Sequence, residues 1–289
     1  IGNFSGANID VVTKNGTNNR QTEVYAFGNN QLLVGRYANG IKQNVQSFSD
    51  FQLGFSTGGA IKKDKLFYFV NFEQANSNNP LLNAPGSNSS NISEETVNLI
   101  LDKLQDDYGY DPGTFTNASL KTNSSKLFLR FDFNISENTK LTLRNNYVNS
   151  FADNLEWNES IFNFGNQGFR HNSVANSFTA EINSNFKNSS SNVLSIGYNI
   201  GRENRDFDGD VFPHLQISDA SNRIFAGTYR EASVYNTDLN TLQISDKYTL
   251  FKDKHTFTFG GLAQYNDVNY GFLSAWNGRW EYSSLDNFL

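Results

Sequence analysis

The stretch that decides the fold is LFLRFDFNISENTKLTLRNNY, residues 127–147. Leucine, phenylalanine and isoleucine occupy every odd position from 127 to 135, and the residues between them include Arg130 and Asp132. A short polar turn, SENTK, follows, and the alternation then resumes. Because side chains on a strand point to opposite faces with a period of two, this pattern predicts a β-hairpin with one apolar and one charged face.

The same alternation recurs along the chain and predicts nine strands. Their spans are 20–29, 50–61, 66–75, 125–135, 140–152, 174–187, 192–204, 237–251 and 255–270. Short polar connections alternate strictly with long ones, which cover residues 30–49, 75–124, 153–173 and 205–236. A soluble β-sandwich also alternates, but it has no reason to keep all its long loops at one end. Outer-membrane barrels keep their long loops at one end and their short turns at the other. The sequence therefore predicts an all-β fold, an antiparallel transmembrane β-barrel wall.

Composition excludes several classes of protein. The longest apolar run, residues 66–70, is far shorter than the roughly 20 residues of a membrane-spanning helix. The mean hydropathy of -0.54 is compatible with a barrel, since half of each barrel strand is polar. A net charge of -6 argues against a nucleic-acid partner. The absence of cysteine removes disulfides and thiolate chemistry.

The long connection at 75–124 contains a predicted helix. Ser93 is a suitable N-cap, and Gly109 a suitable C-terminal stop. Four apolar residues recur between them at helical spacing, namely Val97, Ile100, Leu101 and Leu104. Two interpretations are open: the helix packs on its own loop, or it docks a partner.

Four segments, taken in order, resemble a known family. They are GANIDVVTKNGTN (6–18), FQLGFSTGGAIKKDKLFYFVNFE (51–73), KLFLRFDFNISENTKLTLRNNY (126–147), and HTFTFGG (255–261) followed by WEYSSLDNFL (280–289). The first three resemble the end of the plug and the early barrel strands of TonB-dependent outer-membrane receptors. The last resembles the Oar-like branch of these receptors, found in Bacteroidota and related bacteria.

The resemblance implies a domain division and a location. Residues 1–19 would be the end of a plug domain and its linker, and 20–289 the first part of a barrel with about nine of probably 22 strands. A chain that starts at Ile1 and has no methionine is then expected to be an internal piece of a longer polypeptide. Lipid cannot satisfy the unpaired backbone at the edges of an open sheet, so we expect other strands to complete the barrel. The expected location is the outer membrane of a Gram-negative bacterium.

The resemblance also implies a function, which is transport without catalysis. Such receptors bind a scarce nutrient outside the cell and take it up when the inner-membrane TonB complex, acting through regions absent from this chain, rearranges the plug. The substrate class stays open between siderophore, glycan, peptide and protein. The alternative is a receptor-like barrel that serves as a structural or interaction component of a larger outer-membrane complex. Expected partners are outer-membrane lipid and, for either function, a surface lipoprotein or other outer-membrane subunits.

One set of charged residues falls on the polar face of the predicted strands and would face the lumen of a barrel. Its members are Arg130, Asp132, Arg144, Glu181 and Lys247. Two roles are open for them: ion pairs between plug and barrel, or direct contact with substrate.

The sequence offers one candidate metal site and no other cofactor. Asp206, Asp208 and Asp210 alternate around Gly209, and three carboxylates at this spacing suit Ca²⁺. The glutamate that closes a calcium-binding loop is missing, so a solvated acidic turn is the competing interpretation. The three histidines, His171, His214 and His255, are expected at the surface or at an interface.

Overall fold

The computed structural model describes residues 13–116, 118–186 and 189–289, and within them most residues lie in β-strands. In chain order the elements are β1 (Gln21–Asn30), β2 (Tyr37–Ala38), β3 (Ile41–Lys42), β4 (Ser49–Lys62), β5 (Leu66–Pro80), α1 (Glu94–Tyr108), β6 (Ser119–Ser136), β7 (Thr139–Asn154), β8 (Ile161–Asn163), a 3₁₀ turn (Gly165–Gln167), β9 (Phe169–Phe186), β10 (Ser190–Phe207), β11 (His214–Asp219), β12 (Asn222–Ala226), β13 (Val234–Lys252), β14 (His255–Leu273), β15 (Arg279–Tyr282) and α2 (Leu285–Phe288). No described helix is long and apolar enough to cross a membrane.

Nine of these strands form one sheet within the described residues. Their order is β1–β4–β5–β6–β7–β9–β10–β13–β14, and every neighbouring pair is antiparallel. The order follows the chain, so each strand pairs with the wall strand before it. The all-β prediction and the nine predicted strands are confirmed, and the sheet resembles part of an outer-membrane barrel wall.

The observed strands are longer than the predicted ones, mainly at the end where the long connections lie. β6 begins at Ser119 rather than at 125, and β5 runs to Pro80 rather than to 75. The extra residues pair with one another, as Pro80 does with Ser119. They are mostly polar on both faces, so the alternation that reveals a strand in the sequence is missing there.

The long connections are not only the solvated loops that their composition indicates. Among the described residues, two of them, 153–173 and 205–236, and the segment after β14 contribute strands to a second sheet, with the order β15–β11–β12–β8. β11 and β12 are antiparallel, whereas β15 lies parallel to β11 and β8 parallel to β12. We call this sheet, together with α1 and α2, the loop layer.

Helix α1 is confirmed, with both of its predicted ends. The Ser93 hydroxyl accepts a hydrogen bond from the Thr96 backbone N–H at 3.0 Å, which caps the start. Gly109 adopts a left-handed φ of 61° and donates its backbone N–H to the Gln105 carbonyl at 3.0 Å. The helix thus begins and ends where its local sequence dictates.

Helix α1 packs on residues of its own connection, as one of the two interpretations has it, and also on residues of other connections. Its buried residues Val97, Ile100 and Leu104 belong to one hydrophobic cluster that draws on several connections. The other buried members are Ile92, Tyr110, Trp157, Phe162, Phe164, Leu215, Ile217, Ile224, Ala226 and Phe288. An apolar helix face needs an apolar partner, and here the shared cluster, which includes Leu215, Ile217 and Ile224 of the β11–β12 hairpin, supplies it.

The predicted boundary between residues 1–19 and 20–289 stays a prediction. Residues 1–12 lie outside the described part of the chain, and β1 begins at Gln21.

Candidate functional site

The register of the nine-stranded sheet brings the five predicted charged residues to one face. Asp132 lies opposite Thr142, which in turn lies opposite Glu181. Continuing across the sheet, Glu181 pairs with Ser195 and Ser195 with Ser245, two residues from Lys247. Arg130 likewise pairs with Arg144 on the same face. We call this side the charged face, and the opposite side, with Leu129 and Phe131, the apolar face.

Asp132 is the centre of the strongest cluster on the charged face. Its carboxylate accepts two hydrogen bonds from Arg130, from Nε to Oδ2 at 2.8 Å and from Nη2 to Oδ1 at 2.9 Å. Lys140 Nζ lies 2.8 Å from Oδ1, and the Thr142 hydroxyl donates to Oδ1 at 2.9 Å. Asp132 is 0% exposed. A buried carboxylate is tolerated only when donors satisfy its oxygens, as these three residues do.

The same cluster holds the segment that precedes β1. Arg130 Nη1 donates to the Thr13 backbone carbonyl at 2.9 Å and to the Thr13 hydroxyl at 2.7 Å. Three residues on, Gly16 lies against the backbone of the β4–β5 pair, where a Cβ would come within 2.6 Å of the Gly59 carbonyl oxygen. Only glycine permits this approach, so the segment 13–20 lies directly on the charged face.

The remaining predicted residues are less constrained. Arg144 Nη2 lies 3.1 Å from Glu181 Oε2, but the two side chains are 29% and 32% exposed. Lys247 makes no ion pair with any residue in the described part of the chain. Thus the structure joins Arg130 to Asp132 and Arg144 to Glu181, and leaves Lys247 apart.

A second cluster on the charged face is one that the sequence did not reveal. The Tyr25 hydroxyl donates to Glu73 Oε2 at 2.8 Å, and Lys126 Nζ lies 2.7 Å from Glu73 Oε1. The Tyr25 ring covers Gly54 of the neighbouring strand. Alternation places each side chain on this face, but only the register, with Glu73 opposite both Gly54 and Lys126, shows that they meet.

The structure does not bring the three aspartates of the acidic turn together as a ligand group. Among the described residues, no group of three or more His, Cys, Asp or Glu side chains could hold a metal ion. Asp206 instead accepts hydrogen bonds from Asn172 Nδ2 at 2.6 Å and from Asn204 Nδ2 at 2.8 Å. Asp208 and Asp210 are exposed, so the solvated acidic turn is the interpretation that the geometry supports.

The histidines differ from the expectation at one position. His214 is only 4% exposed, stacks on Phe225 at a ring distance of 5.6 Å, and finds no hydrogen-bond partner for Nδ1 among the described residues. Burial, followed by the positive charges of Arg279 and Arg230, lowers the pKa of His214 to about 4. It is therefore a neutral interior residue of the loop layer, not a surface or interface histidine.

Comparison with solved structures shows which known fold the chain is similar to. The chain is similar to the crystal structure of the outer membrane transporter YddB from Escherichia coli, with a TM-score of 0.55 and 10% identity. The similarity covers 86% of this chain but only 31% of that one, so the chain spans about a third of its relative. The toluene transporter TodX from P. putida also matches, with a TM-score of 0.19 and 7% identity, which is too low to support an argument. No protein-family model matches the sequence, and no curated protein matches it.

Proposed function

We propose that this chain is part of the wall of an outer-membrane transporter that takes up its substrate with energy from the TonB complex. The observation that carries the proposal is the two-sided sheet. One face is apolar and uncovered, and the other is charged and in contact with the segment before β1. A membrane barrel with a filled interior gives each face a suitable environment.

The apolar face supports the membrane location. Large apolar side chains on it are exposed, among them Val24, Phe55, Phe72, Phe178, Ile244 and Phe259. Their number and continuity across the sheet exceed what a soluble monomer leaves in water. In a bilayer, acyl chains would cover these side chains and keep them out of water.

The strand lengths support a wall that extends beyond the bilayer. β13 and β14 have 19 residues each. A tilted strand crosses the hydrocarbon core in about 9–11 residues. The bilayer would thus enclose the half of each strand near the short turns, where the apolar alternation is clearest, and the loop layer would stand outside the cell.

The TonB-dependent character rests on the sequence resemblance and on the contact between residues 13–20 and the charged face. In the receptors that this chain resembles, a plug precedes the first strand and fills the barrel. The hydrogen bonds from Arg130 to Thr13 are the kind of contact that would hold the end of a plug against the barrel wall. The charged residues are then plug contacts, and transport, not catalysis, is the activity.

The location can be tested by cysteine labelling, because the chain has no cysteine of its own. A membrane-impermeant maleimide should label Ser89→Cys in intact cells, and Lys254→Cys only after the outer membrane is permeabilised. Phe259→Cys should resist labelling in both states, whereas its neighbour Thr258→Cys, on the charged face, should react after permeabilisation. Equal labelling of positions 258 and 259 would mean that water reaches both faces and would overturn the membrane assignment.

Energised transport needs a second measurement. Lys14 is exposed and lies in the segment on the charged face. Labelling of Lys14→Cys should change in rate when the TonB complex is deleted, while labelling of Ser89→Cys should not. An unchanged rate at both positions would contradict a TonB-driven rearrangement at this joint.

One observation favours a second candidate function, a structural or interaction barrel. The loop layer has its own buried core rather than mobile loops, and such a surface suits a permanent partner. A surface lipoprotein or another outer-membrane subunit would then co-purify in a fixed ratio, and TonB deletion would leave labelling of Lys14→Cys unchanged.

A further inference from the structure

The loop layer contains a pocket of about 340 Å³ at the edge of its hydrophobic cluster. It lies between the C-terminal half of α1, β11, β15 and α2. Six of its eight lining residues are Leu104, Tyr108, Phe212, Trp280, Tyr282 and Phe288. Its size is at the lower end of the range for small-molecule sites, which are mostly apolar with a few polar groups.

The walls of the pocket are held in place by contacts between aromatic rings. Phe212 stacks on Tyr110 at a ring distance of 4.0 Å and meets Tyr108 edge-on at 6.2 Å. Tyr282 meets Phe288 edge-on at 5.1 Å. Rings packed in this way keep their orientation, so the pocket exists before any ligand arrives.

Two aromatic residues at the rim remain exposed although the core next to them is closed. Tyr108 is 54% and Trp280 is 59% exposed, whereas Leu104 is fully buried. The loop layer lies beyond the apolar face, so the bilayer that would cover that face does not reach them. Neither the hydroxyls of Tyr108 and Tyr282 nor the indole N–H of Trp280 has a hydrogen-bond partner in the described part of the chain.

The charges beside the pocket are already neutralised. Lys103 Nζ lies 2.6 Å from Asp107, and Arg279 pairs with Glu281 on either side of Trp280 in sequence. The lining itself carries no charged side chain. A charged ligand would lose its hydration without gaining a counter-charge, so the pocket is complementary to an uncharged one.

We propose that this pocket binds an uncharged ligand that carries one or two planar rings and hydrogen-bond acceptors at their edge. The rings would stack among Phe212, Trp280 and Phe288. The acceptors would receive hydrogen bonds from the unpaired hydroxyl and indole N–H groups at the rim. An apolar cavity of about 150 Å³ holds one benzene ring, so the volume here suits a fused pair of rings. The role of the pocket in substrate capture rests on the proposed function, but binding itself does not.

The experiment uses 6-fluoroquinoline, an uncharged fused pair of rings with a ring-nitrogen acceptor, as the probe and the full-length protein in lipid nanodiscs, with empty nanodiscs as the blank for partitioning. Fluorine NMR should show saturable line broadening with the wild type. Trp280→Ala and Tyr108→Ala should each weaken binding by about tenfold or more. The matched control is Trp276→Ala, an exposed tryptophan outside the pocket, which should bind like the wild type.

The outcomes separate the proposals. Absence of saturable broadening in the wild type would mean that another part of the polypeptide covers the pocket, and it would overturn the inference. So would equal binding by the wild type, Trp280→Ala and Tyr108→Ala. If the control Trp276→Ala lost binding together with Trp280→Ala and Tyr108→Ala, the effect would not be specific to the pocket, and the inference would be overturned. None of these results depends on the TonB complex, so the failure of this site and the failure of energised transport are distinguishable.

Discussion

Replacing Asp132 by alanine should destabilise the nine-stranded sheet by about 3–5 kcal/mol, the usual cost of removing one partner from a buried ion pair. The carboxylate is 0% exposed and accepts from Arg130 and Thr142, while Lys140 lies 2.8 Å away. Without it, two positive charges would remain close together on the charged face with no counter-charge. Asp132→Asn keeps the shape of the side chain and isolates the effect of its charge, so its cost should lie between zero and that of alanine.

The same face supplies a control. Glu181→Ala removes the partner of Arg144, but both side chains are about a third exposed and one contact of 3.1 Å joins them. Water can replace the lost partner there, so the cost should not exceed about 1 kcal/mol. The difference between the two alanine substitutions therefore measures the effect of burial on an ion pair within one sheet.

Urea unfolding of the full-length protein in lipid vesicles measures the free energy of unfolding of the two variants, Asp132→Ala and Glu181→Ala. Far-UV circular dichroism reports on the sheet. Tryptophan fluorescence from this chain reports on the loop layer and its surroundings, since Trp157, Trp276 and Trp280 all lie outside the nine strands. Asp132→Ala should shift the dichroism transition more than Glu181→Ala does. If the two substitutions cost the same, or if Asp132→Ala costs less than about 1 kcal/mol, water reaches the cluster and the burial argument is wrong.

Three further perturbations test the loop layer and the segment before β1. Ile100→Ala should destabilise the loop layer by about 2–5 kcal/mol because Ile100 is fully buried in its core, whereas Leu99→Ala, exposed on the same helix, should change the fluorescence transition by less than about 0.5 kcal/mol. The folded pKa of His214, about 4, lies below its unfolded value of 6.5, so the stabilising effect of the neutral form is complete above pH 6.5 and is lost as the pH falls toward 4. The loss, up to about 3 kcal/mol, should disappear from the pH dependence of unfolding in His214→Phe. Gly16→Ala should lift the segment from the sheet and speed its proteolysis, because the new Cβ would meet backbone, whereas Gly35→Ala has open space and should change nothing.

The sequence by itself determined the wall. Its period of two is a local property of each strand, readable wherever one face is apolar, and the alternation of short and long connections then fixes the antiparallel order. The same holds for α1, whose cap, apolar spacing and terminal glycine lie within 17 residues, from Ser93 to Gly109. The five charged residues could be assigned to a face, but not to partners.

The tertiary structure decided everything that depends on which distant segments meet. β8 and β15 have three and four residues, too few to show a period, and each becomes a strand only because it pairs with β12 or β11. The register, which no local pattern fixes, joins Glu73 to Tyr25 and Lys126. Likewise, His214 stands between Pro213 and Leu215, which say nothing of its own burial, and only the packing of the loop layer removes it from water. Local periodicity is a property of the backbone of each segment, whereas burial and pairing belong to the contacts between segments.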